Sequence, residues 1–347
     1  MTIRELAAIA GVSRTSISRA LNNAPGVSVE TRERVVKLAK EHGYNANPMV
    51  TALMSDVRRR RMHENRSIMA IVPPAFQDRK WGTGHIANRL YREGVESRAK
   101  QLGFKVEDFM PFEYGGSYKR VSQVLYQRGI QAVLVPSVDV VNPPDSHEYS
   151  LDWDKFSVAG IGFSVDCGRY LDRSVVSHFQ AASLAFARAR ELGYRRIGCG
   201  LCGRINDRTQ GRWLAAYLLD REMHGAGKDL PFFEFDETLG EGERLKRWFK
   251  QTRPDAIVGD RYFLELALES GLRIPEDVAF ALFDWLPGEL GGDDYAGIDQ
   301  RFDLVGAAAV DLVASRINSN ERGLPKEPKV LKVLGEWVEG RSMPPNR

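Results

Sequence analysis

Arg14, Thr15, Ser18 and Arg19 share the outward side of a short stretch whose other side carries Ile17, Ala20 and Leu21, so guanidiniums and hydroxyls are presented together. Groups of this kind reach base edges and phosphates in a major groove. Far along the chain, Trp81, His85, Tyr262 and Trp285 stand at predicted loop or helix starts facing a cleft, where aromatic faces suit sugar rings as well as bases. The chemistry of catalysis is absent by pattern. There is no Walker loop, GxSxG elbow, HExxH or GxGxxG, and His42, His63, His85, His147, His178 and His224 are scattered without metal-ligand spacing. No enzyme, metal centre or cofactor is therefore expected. Cys199-Gly200-Leu201-Cys202 is the one redox-like motif, and it falls on a predicted strand rather than a helix start, so it reads as a structural pair.

The elements that must position these groups follow from caps and breakers. Thr2 and Glu5 form a capping box, and Ile3, Leu6, Ala7 and Ala10 predict a helix over about residues 3–10. Gly11 supplies a left-handed turn, Ser13 caps a second helix, and the pair forms a helix-turn-helix. After Pro25-Gly26, Ser28 caps a third helix carrying Val35, Leu38 and Ala39, which Gly43 ends. Residues 1–66 hold twelve Lys or Arg against six Asp or Glu, a net of +6, whereas residues 67–347 hold 37 against 40, a net of −3. A basic head on a mildly acidic body fits a polyanion met by one end only.

From Ser67 onward β-rich runs alternate with amphipathic stretches. Strands are predicted at Ile68–Val72, Phe104–Phe109, Ala132–Pro136, Ser174–Ser177, Arg196–Gly200, Ala256–Gly259 and Val278–Phe283, with helices near His85–Leu102, Tyr118–Gly129 and Arg212–His224 and one ending at Gly193. Repeated βα units imply parallel, Rossmann-like sheets covered by helices on both faces, in two lobes with ligands bound between them. The longest stretch free of charged residues, Ser174 to Ala187, is too short and too polar to cross a bilayer. Three cysteines suit a reducing, cytoplasmic address.

Thr2 to Asn47, TIRELAAIAGVSRTSISRALNNAPGVSVETRERVVKLAKEHGYNAN, closely resembles the DNA-binding head of the lac repressor (LacI/GalR) family. The shared pattern is an opening Thr, Ala-Gly-Val-Ser, a Ser-Arg-x-x-Asn helix end, Val-Ser-x-x-Thr-Arg and a closing Gly-Tyr. The resemblance implies that Arg14 and Thr15 read bases with Arg19 as a third reader, while Thr2, Ser13, Asn22, Ser28 and Thr31 contact phosphate. For Ser13, Ser28 and Thr31 the alternative is plain helix capping. Asn47-Pro48 starts what the family uses as a hinge helix, on which Leu53 is expected to wedge into the minor groove or to pack between protomers. Ser55 to Arg66 is longer than the family's usual connection, and Arg58 to Arg61 within it is either a phosphate-tracking extension or a solvated tether.

Leu192–Gly198, Gly271–Val278, Ile298–Gln300 with Gly306 and Ala309, and Glu339–Ser342 resemble landmarks of the family's effector-binding core, which is built like periplasmic sugar-binding proteins. Carried over, the resemblance points to Asp284, Arg212 and Asp260 as effector contacts, with Arg212 one residue out of the usual register. The expected organisation is an all-α head over 1–46, a hinge and basic linker over 47–66, and an α/β core over 67–347. Within that core the N-lobe is placed at 67–163 plus 299–325 and the C-lobe at 164–298 plus 326–347. The expected function is a homodimeric regulator, either repressor or activator, on a near-palindromic DNA operator, controlled by a small carbohydrate-class effector and not associated with a membrane. A dimer is expected because the chain runs only a few residues past Ser342. The rival reading is a secreted sugar-binding protein, since Arg4 followed by Leu6 to Val12 mimics a minimal signal peptide, although Glu5 cancels its positive region.

Overall fold

The structure, a computed structural model, describes residues 3–21, 26–44, 67–74, 80–136, 150–163, 171–224, 230–236, 240–288 and 294–346. Thr2, Asn22, Asn47, Leu53, Arg58 to Arg61 and Cys167 lie outside the described residues.

The head contains α1 (Ile3–Ala10), α2 (Arg14–Leu21) and α3 (Val29–Glu41). Their periodic apolar residues meet in one small core of Leu6, Ala7, Ala10, Ile17, Ala20, Val35 and Ala39, edged by Val12, Leu21, Leu38 and Tyr44. Gly11 takes φ +64° between α1 and α2, a conformation that glycine adopts without the Cβ strain other residues meet.

The core begins with β1 (Ser67–Ile71), α4 (Ile86–Gln101), β2 (Phe104–Asp108), α5 (Tyr118–Gln127), β3 (Ala132–Pro136), β4 (Ser157–Ile161) and β5 (Arg173–Val176). It continues with α6 (His178–Glu191), β6 (Ile197–Cys202), α7 (Gly203–Arg208), α8 (Arg212–His224), β7 (Phe233–Phe235), α9 (Glu241–Thr252), β8 (Ala256–Gly259) and α10 (Arg261–Glu269). The chain then forms β9 (Ala279–Trp285), β10 (Ala296–Asp299), α11 (Phe302–Asn318), β11 (Val330–Val333) and β12 (Glu336–Val338).

Two six-stranded sheets result, ordered β11-β5-β4-β3-β1-β2 and β12-β10-β9-β8-β6-β7. All pairings are parallel except that of β12 with β10. Each sheet is the centre of one lobe. Sheet membership moves the lobe boundaries from where the sequence put them. β5 pairs with β4 and β11, so the first lobe runs past residue 163 to Val176, and β11 returns to that lobe although 326–347 was assigned to the second. The crossovers therefore lie at Ser177, between β10 and α11, and at Leu334-Gly335. Periodicity cannot see this, because a buried parallel strand reads the same in either sheet.

Two contacts tie the three crossovers together. Arg301, at φ +52°, extends Nη1 to Glu336 Oε1 at 2.8 Å, joining the segment before α11 to the start of β12. Ser177 N–H donates to the Val333 carbonyl at 2.9 Å and links the first crossover to the last.

In the N-lobe, α4 and α11 touch backbone to backbone. A Cβ on Gly94 would lie 1.8 Å from the Asp303 carbonyl oxygen, and one on Gly306 would lie 2.1 Å from that of Tyr91. Only glycine at both positions permits this approach. At the far end of α11 the guanidinium of Arg316 is buried against Asp172, Nη1 to Oδ2 at 2.8 Å, and Nη2 donates to the Gly323 carbonyl at 2.7 Å. Asp172 Oδ1 accepts from the Lys329 N–H at 2.8 Å, so one ion pair joins α11, the start of β5 and the approach to β11. The C-lobe core is rich in rings. Phe263 lies within 6.3 Å, centroid to centroid, of Phe233, Phe235 and Phe280.

Candidate functional site

In the head, Ser13 precedes α2 and its Oγ accepts from the Ser16 N–H at 3.1 Å, so the helix begins at Arg14 with its first side chains outward. Arg14, Thr15 and Arg19 are exposed and Ser18 is half-buried beside the inner Ile17 and Ala20. Arg19 leans back over the turn, where a Cβ on Gly26 would lie 3.1 Å from its Nη1. Ser28 caps α3 through the Thr31 N–H at 3.2 Å and donates to Thr31 Oγ1 at 2.8 Å. The hydroxyls of Ser13 and Ser28 thus act as caps in this structure, and Ser28 remains exposed.

Between the lobes lies a cavity of about 170 Å³. The N-lobe side supplies His85, Tyr91, Phe163 and Phe302, and the C-lobe side supplies His178, Arg204, Arg208, Trp213, Tyr262 and Asp284. Strand ends deliver most of these groups: α7 follows β6, α10 follows β8, and Asp284 stands at the end of β9. His85 is the N-cap of α4, its Nδ1 accepting from the Ala87 N–H at 3.2 Å. Tyr91 meets Phe302 at 4.8 Å, and His178 stands edge-on to Trp213 at 5.7 Å. Trp213 in turn stacks on Phe283 at 4.9 Å, which fixes its orientation from behind.

Burial sets the electrostatics. Burial pushes Asp284 up to about 6, with Arg261 and Arg208 pulling the other way. Its Oδ1 is buried without a hydrogen-bond partner, as are His178 Nδ1 and Trp213 Nε1. Burial, then the charges of Arg208 and Arg212, lower His178 to about 3, so its imidazole is neutral at pH 7.

Of the residues expected to contact an effector, His85, Tyr262 and Asp284 line this cavity, whereas Trp81, Arg212, Asp260 and Trp285 do not. Asp260 is the buried N-cap of α10 and holds the Phe263 N–H at 2.8 Å and the Cys202 N–H at 2.7 Å. Both its oxygens are engaged within the C-lobe. Trp285 follows Asp284 on the same strand, and successive side chains on a strand face opposite sides. Trp81 is buried in the N-lobe core, and its carbonyl accepts from Arg92. Arg212 turns its guanidinium over the Phe163 ring at 4.1 Å and donates to the Thr209 carbonyl at 3.0 Å. The arginines that line the cavity are Arg204, Arg208 and Arg261, and Arg208 is separated from Arg212 by a turn over residues 209–211 in which Gly211 takes φ +67°. The sequence reading missed Arg208 together with Arg204 and Arg261; the one signal for it was the imperfect register at Arg212.

Cys199 and Cys202 are buried and not joined by a disulfide. Cys202, placed on a strand by sequence, is also the N-cap of α7, yet burial and the nearby Asp260 push its thiol up rather than down. Among the described residues no cluster of three His, Cys, Asp or Glu is placed to hold a metal, and no helix is long and apolar enough to cross a membrane.

Comparison with known proteins fits both halves. Residues 2–47 match the family described as bacterial regulatory proteins, lacI family, and residues 186–343 match the periplasmic binding protein-like domain. The chain thus carries a lacI-family DNA-binding head followed by a periplasmic binding protein-like domain. Among its relatives, the HTH-type transcriptional repressor PurR of Vibrio vulnificus is 23% identical over 92% of this chain and 93% of its own. The NTD biosynthesis operon regulator NtdR of Bacillus subtilis is 23% identical over 82% of each chain. Among solved structures, a transcriptional regulator CelR-cellobiose complex superposes with a TM-score of 0.55 at 21% identity, covering 99% of both chains. The lac repressor dimer bound to operator and the anti-inducer ONPF gives 0.54 at 18% identity over 99% of both. The N-terminal helix-turn-helix and the two-lobed α/β core are thus the LacI architecture, as the sequence led one to expect.

Proposed function

We propose that this regulator is a cytoplasmic homodimer that represses transcription from a near-palindromic operator, performs no catalysis, and responds to a sugar or sugar derivative bound between its lobes. The observation that carries the effector reading is the inter-lobe cavity, where aromatic rings surround the buried, unpartnered Oδ1 of Asp284. A carboxylate of this kind accepts from sugar hydroxyls while rings pack against the sugar face. The CelR-cellobiose complex supports that choice of ligand class.

In this reading Asp284, His85 and Tyr262 hold the effector. Arg14, Thr15 and Arg19 read bases, Ser13, Ser18, Ser28 and Thr31 contact the DNA backbone together with Thr2, Asn22 and Asn47, and Leu53 wedges into the minor groove. Because the cavity draws on both lobes, a ligand that prefers one lobe arrangement shifts the population toward it and changes operator affinity by linkage.

The fragment 67–347 is expected to keep effector binding and lose specific operator binding; retention of operator affinity by that fragment in a mobility-shift titration contradicts the assignment. In the full chain, Arg14→Ala is expected to cost about 1 to 3 kcal/mol and to relax preference at particular base positions, as expected for loss of a bidentate contact. Ser13→Ala should weaken all operator variants alike. Equal losses from both substitutions across an operator library would refute the division of roles. At the cavity, Asp284→Ala removes a charged acceptor, and effector affinity should fall by about 1.5 to 3 kcal/mol. An effector constant unchanged by calorimetry takes Asp284 out of the site.

A further inference from the structure

On the reading that a change in lobe arrangement carries the effector signal, we propose that Arg301 is a latch at the lobe crossovers, its guanidinium bridging to Glu336 and so favouring the lobe arrangement of this structure.

Three carboxylates meet this one guanidinium, and they come from both lobes. Asp299 ends β10 and Glu336 begins β12, both strands of the C-lobe sheet, and the two residues stand directly opposite each other in that antiparallel pair. Like charges so placed repel. Asp303 lies in the first turn of α11, in the N-lobe. Arg301 sits between the two groups in the chain and touches each with a different atom. Its N–H donates to Asp299 Oδ1 at 2.8 Å, and Nη1 donates to Glu336 Oε1 at 2.8 Å. Nε reaches Asp303 Oδ1 at 3.4 Å and stands 4.0 Å from Asp299 Oδ2. Arg301 thus relieves the repulsion of a C-lobe pair from the N-lobe end of a crossover.

Both ends of the latch are fixed in their own lobes. On the C-lobe side a Cβ on Gly335 would lie 2.5 Å from Ile298 Cγ2 and 3.1 Å from the Asp299 carbonyl oxygen, so the backbone leading into Glu336 is seated against β10. On the N-lobe side the carbonyl of Asp303 is the one that Gly94 approaches, so Asp303 travels with α4 and α11 as one body. Between them Arg301 takes φ +52°, a left-handed conformation that a residue with a side chain keeps only where its surroundings hold it. A rotation of one lobe against the other changes the span from α11 to Glu336, and the long Arg301 side chain crosses that span. The residues on either side of it, Gln300 and Phe302, line the cavity, and Gln300 Nε2 donates to the Phe283 carbonyl beside Asp284. A ligand that moves Gln300 or Phe302 therefore moves the turn that aims the guanidinium. The bridge is also weak enough to open. Side-chain exposure is 25% at Arg301 and 68% at Glu336, against 5% and 8% for the buried pair Arg316 and Asp172, and exposed ion pairs shift an equilibrium only a few-fold.

The test is a distance measurement by double electron–electron resonance, with nitroxides at Lys100→Cys on α4 and Lys250→Cys on α9. The full chain is used, carrying Cys167→Ser and diluted with unlabelled chain so that each pair of labels reports one protomer. Cys199 and Cys202 are buried and shielded from the label. Arg301→Gln and Glu336→Gln should each change the ratio of lobe arrangements by about two- to fivefold, seen as growth of a second distance, and the double variant should do no more than either single one. Glu336 is exposed, so Glu336→Gln should leave the melting midpoint in place, and it decides the matter by itself where Arg301→Gln does not fold. Distance distributions identical to the parent would overturn the latch. Additive shifts in the double variant would show that the two residues act separately and would overturn the bridge as their cause. Neither effector nor DNA enters the measurement, so failure of the latch leaves the sugar and operator readings standing, and their failure leaves the latch standing.

Discussion

Phe263→Ala is expected to destabilise the C-lobe by about 3 to 5 kcal/mol, toward the upper end of what loss of a core ring costs. The reason is the backbone beneath the ring. Cβ atoms on Gly200 and Gly259 would lie 2.3 and 3.2 Å from the Phe263 ring, so Phe263 occupies volume that two strands leave open by lacking side chains. Its neighbours Phe280, Phe233 and Phe235 are themselves held in strands, and glycine has no side chain with which to relax inward. The cavity left by truncation cannot collapse easily, and its cost adds to the lost transfer free energy. The same geometry predicts a reversal of sign. Gly200→Ala should be strongly destabilising in the native protein, where the new methyl meets the ring, and should recover part of the loss in the Phe263→Ala background. Urea unfolding followed by tryptophan fluorescence measures both. Additive losses in the double variant would show that the ring and the glycine do not share this space.

Asp172→Ala should cost the N-lobe a comparable amount, about 3 to 5 kcal/mol, because it strands a buried guanidinium. Arg316 retains only 5% side-chain exposure, and after the substitution it keeps the bond to the Gly323 carbonyl and only a distant carboxylate, Glu321 Oε2 at 4.0 Å. The Lys329 N–H loses its acceptor at the same time. Replacing both members, Asp172→Ala with Arg316→Met, should restore much of the loss, since a well-packed apolar pair avoids the cost of an unpaired charge. A double variant no more stable than Asp172→Ala alone would place the energy in the Lys329 contact instead. Because this ion pair ties α11 to β5 and to the chain leading into β11, damage here should also loosen the first and last crossovers.

The head was almost wholly legible in the sequence, as its helices are short, capped by Ser13 and Ser28 and patterned with one apolar face. In the core, the strands that follow clear breakers were placed to within a residue or two. β4 was not placed, because SVAGI is buried throughout and carries no alternation. α11 was not placed as a helix because Phe302, Val305, Ala309, Val310 and Val313 are buried while much of its remaining surface is also apolar, which erases the amphipathic signal. Asp284 was legible as a carboxylate at a strand end. The arginine cluster was not, since Arg204 and Arg208 come from α7, a six-residue helix, and Arg261 from the first position of α10. Arg261, more than fifty residues further along, joins Arg204 and Arg208 at the cavity only when the lobe folds.

The glycine contact between α4 and α11 divides the cavity for anyone who would re-engineer its ligand. Tyr91 supplies the carbonyl that Gly306 approaches, and Phe302 directly precedes Asp303, whose carbonyl Gly94 approaches. These two rings are therefore mounted on a pair of helices that cannot separate or rotate without breaking the backbone contact. Variation in ligand preference has to come from the opposite wall, where the short α7 and the Gly211 turn carry Arg204, Arg208 and Thr209. A saturation library at 94 and 306 should return glycine almost alone, while one at 204, 208 and 209 should yield altered ligand specificity in proteins that still fold.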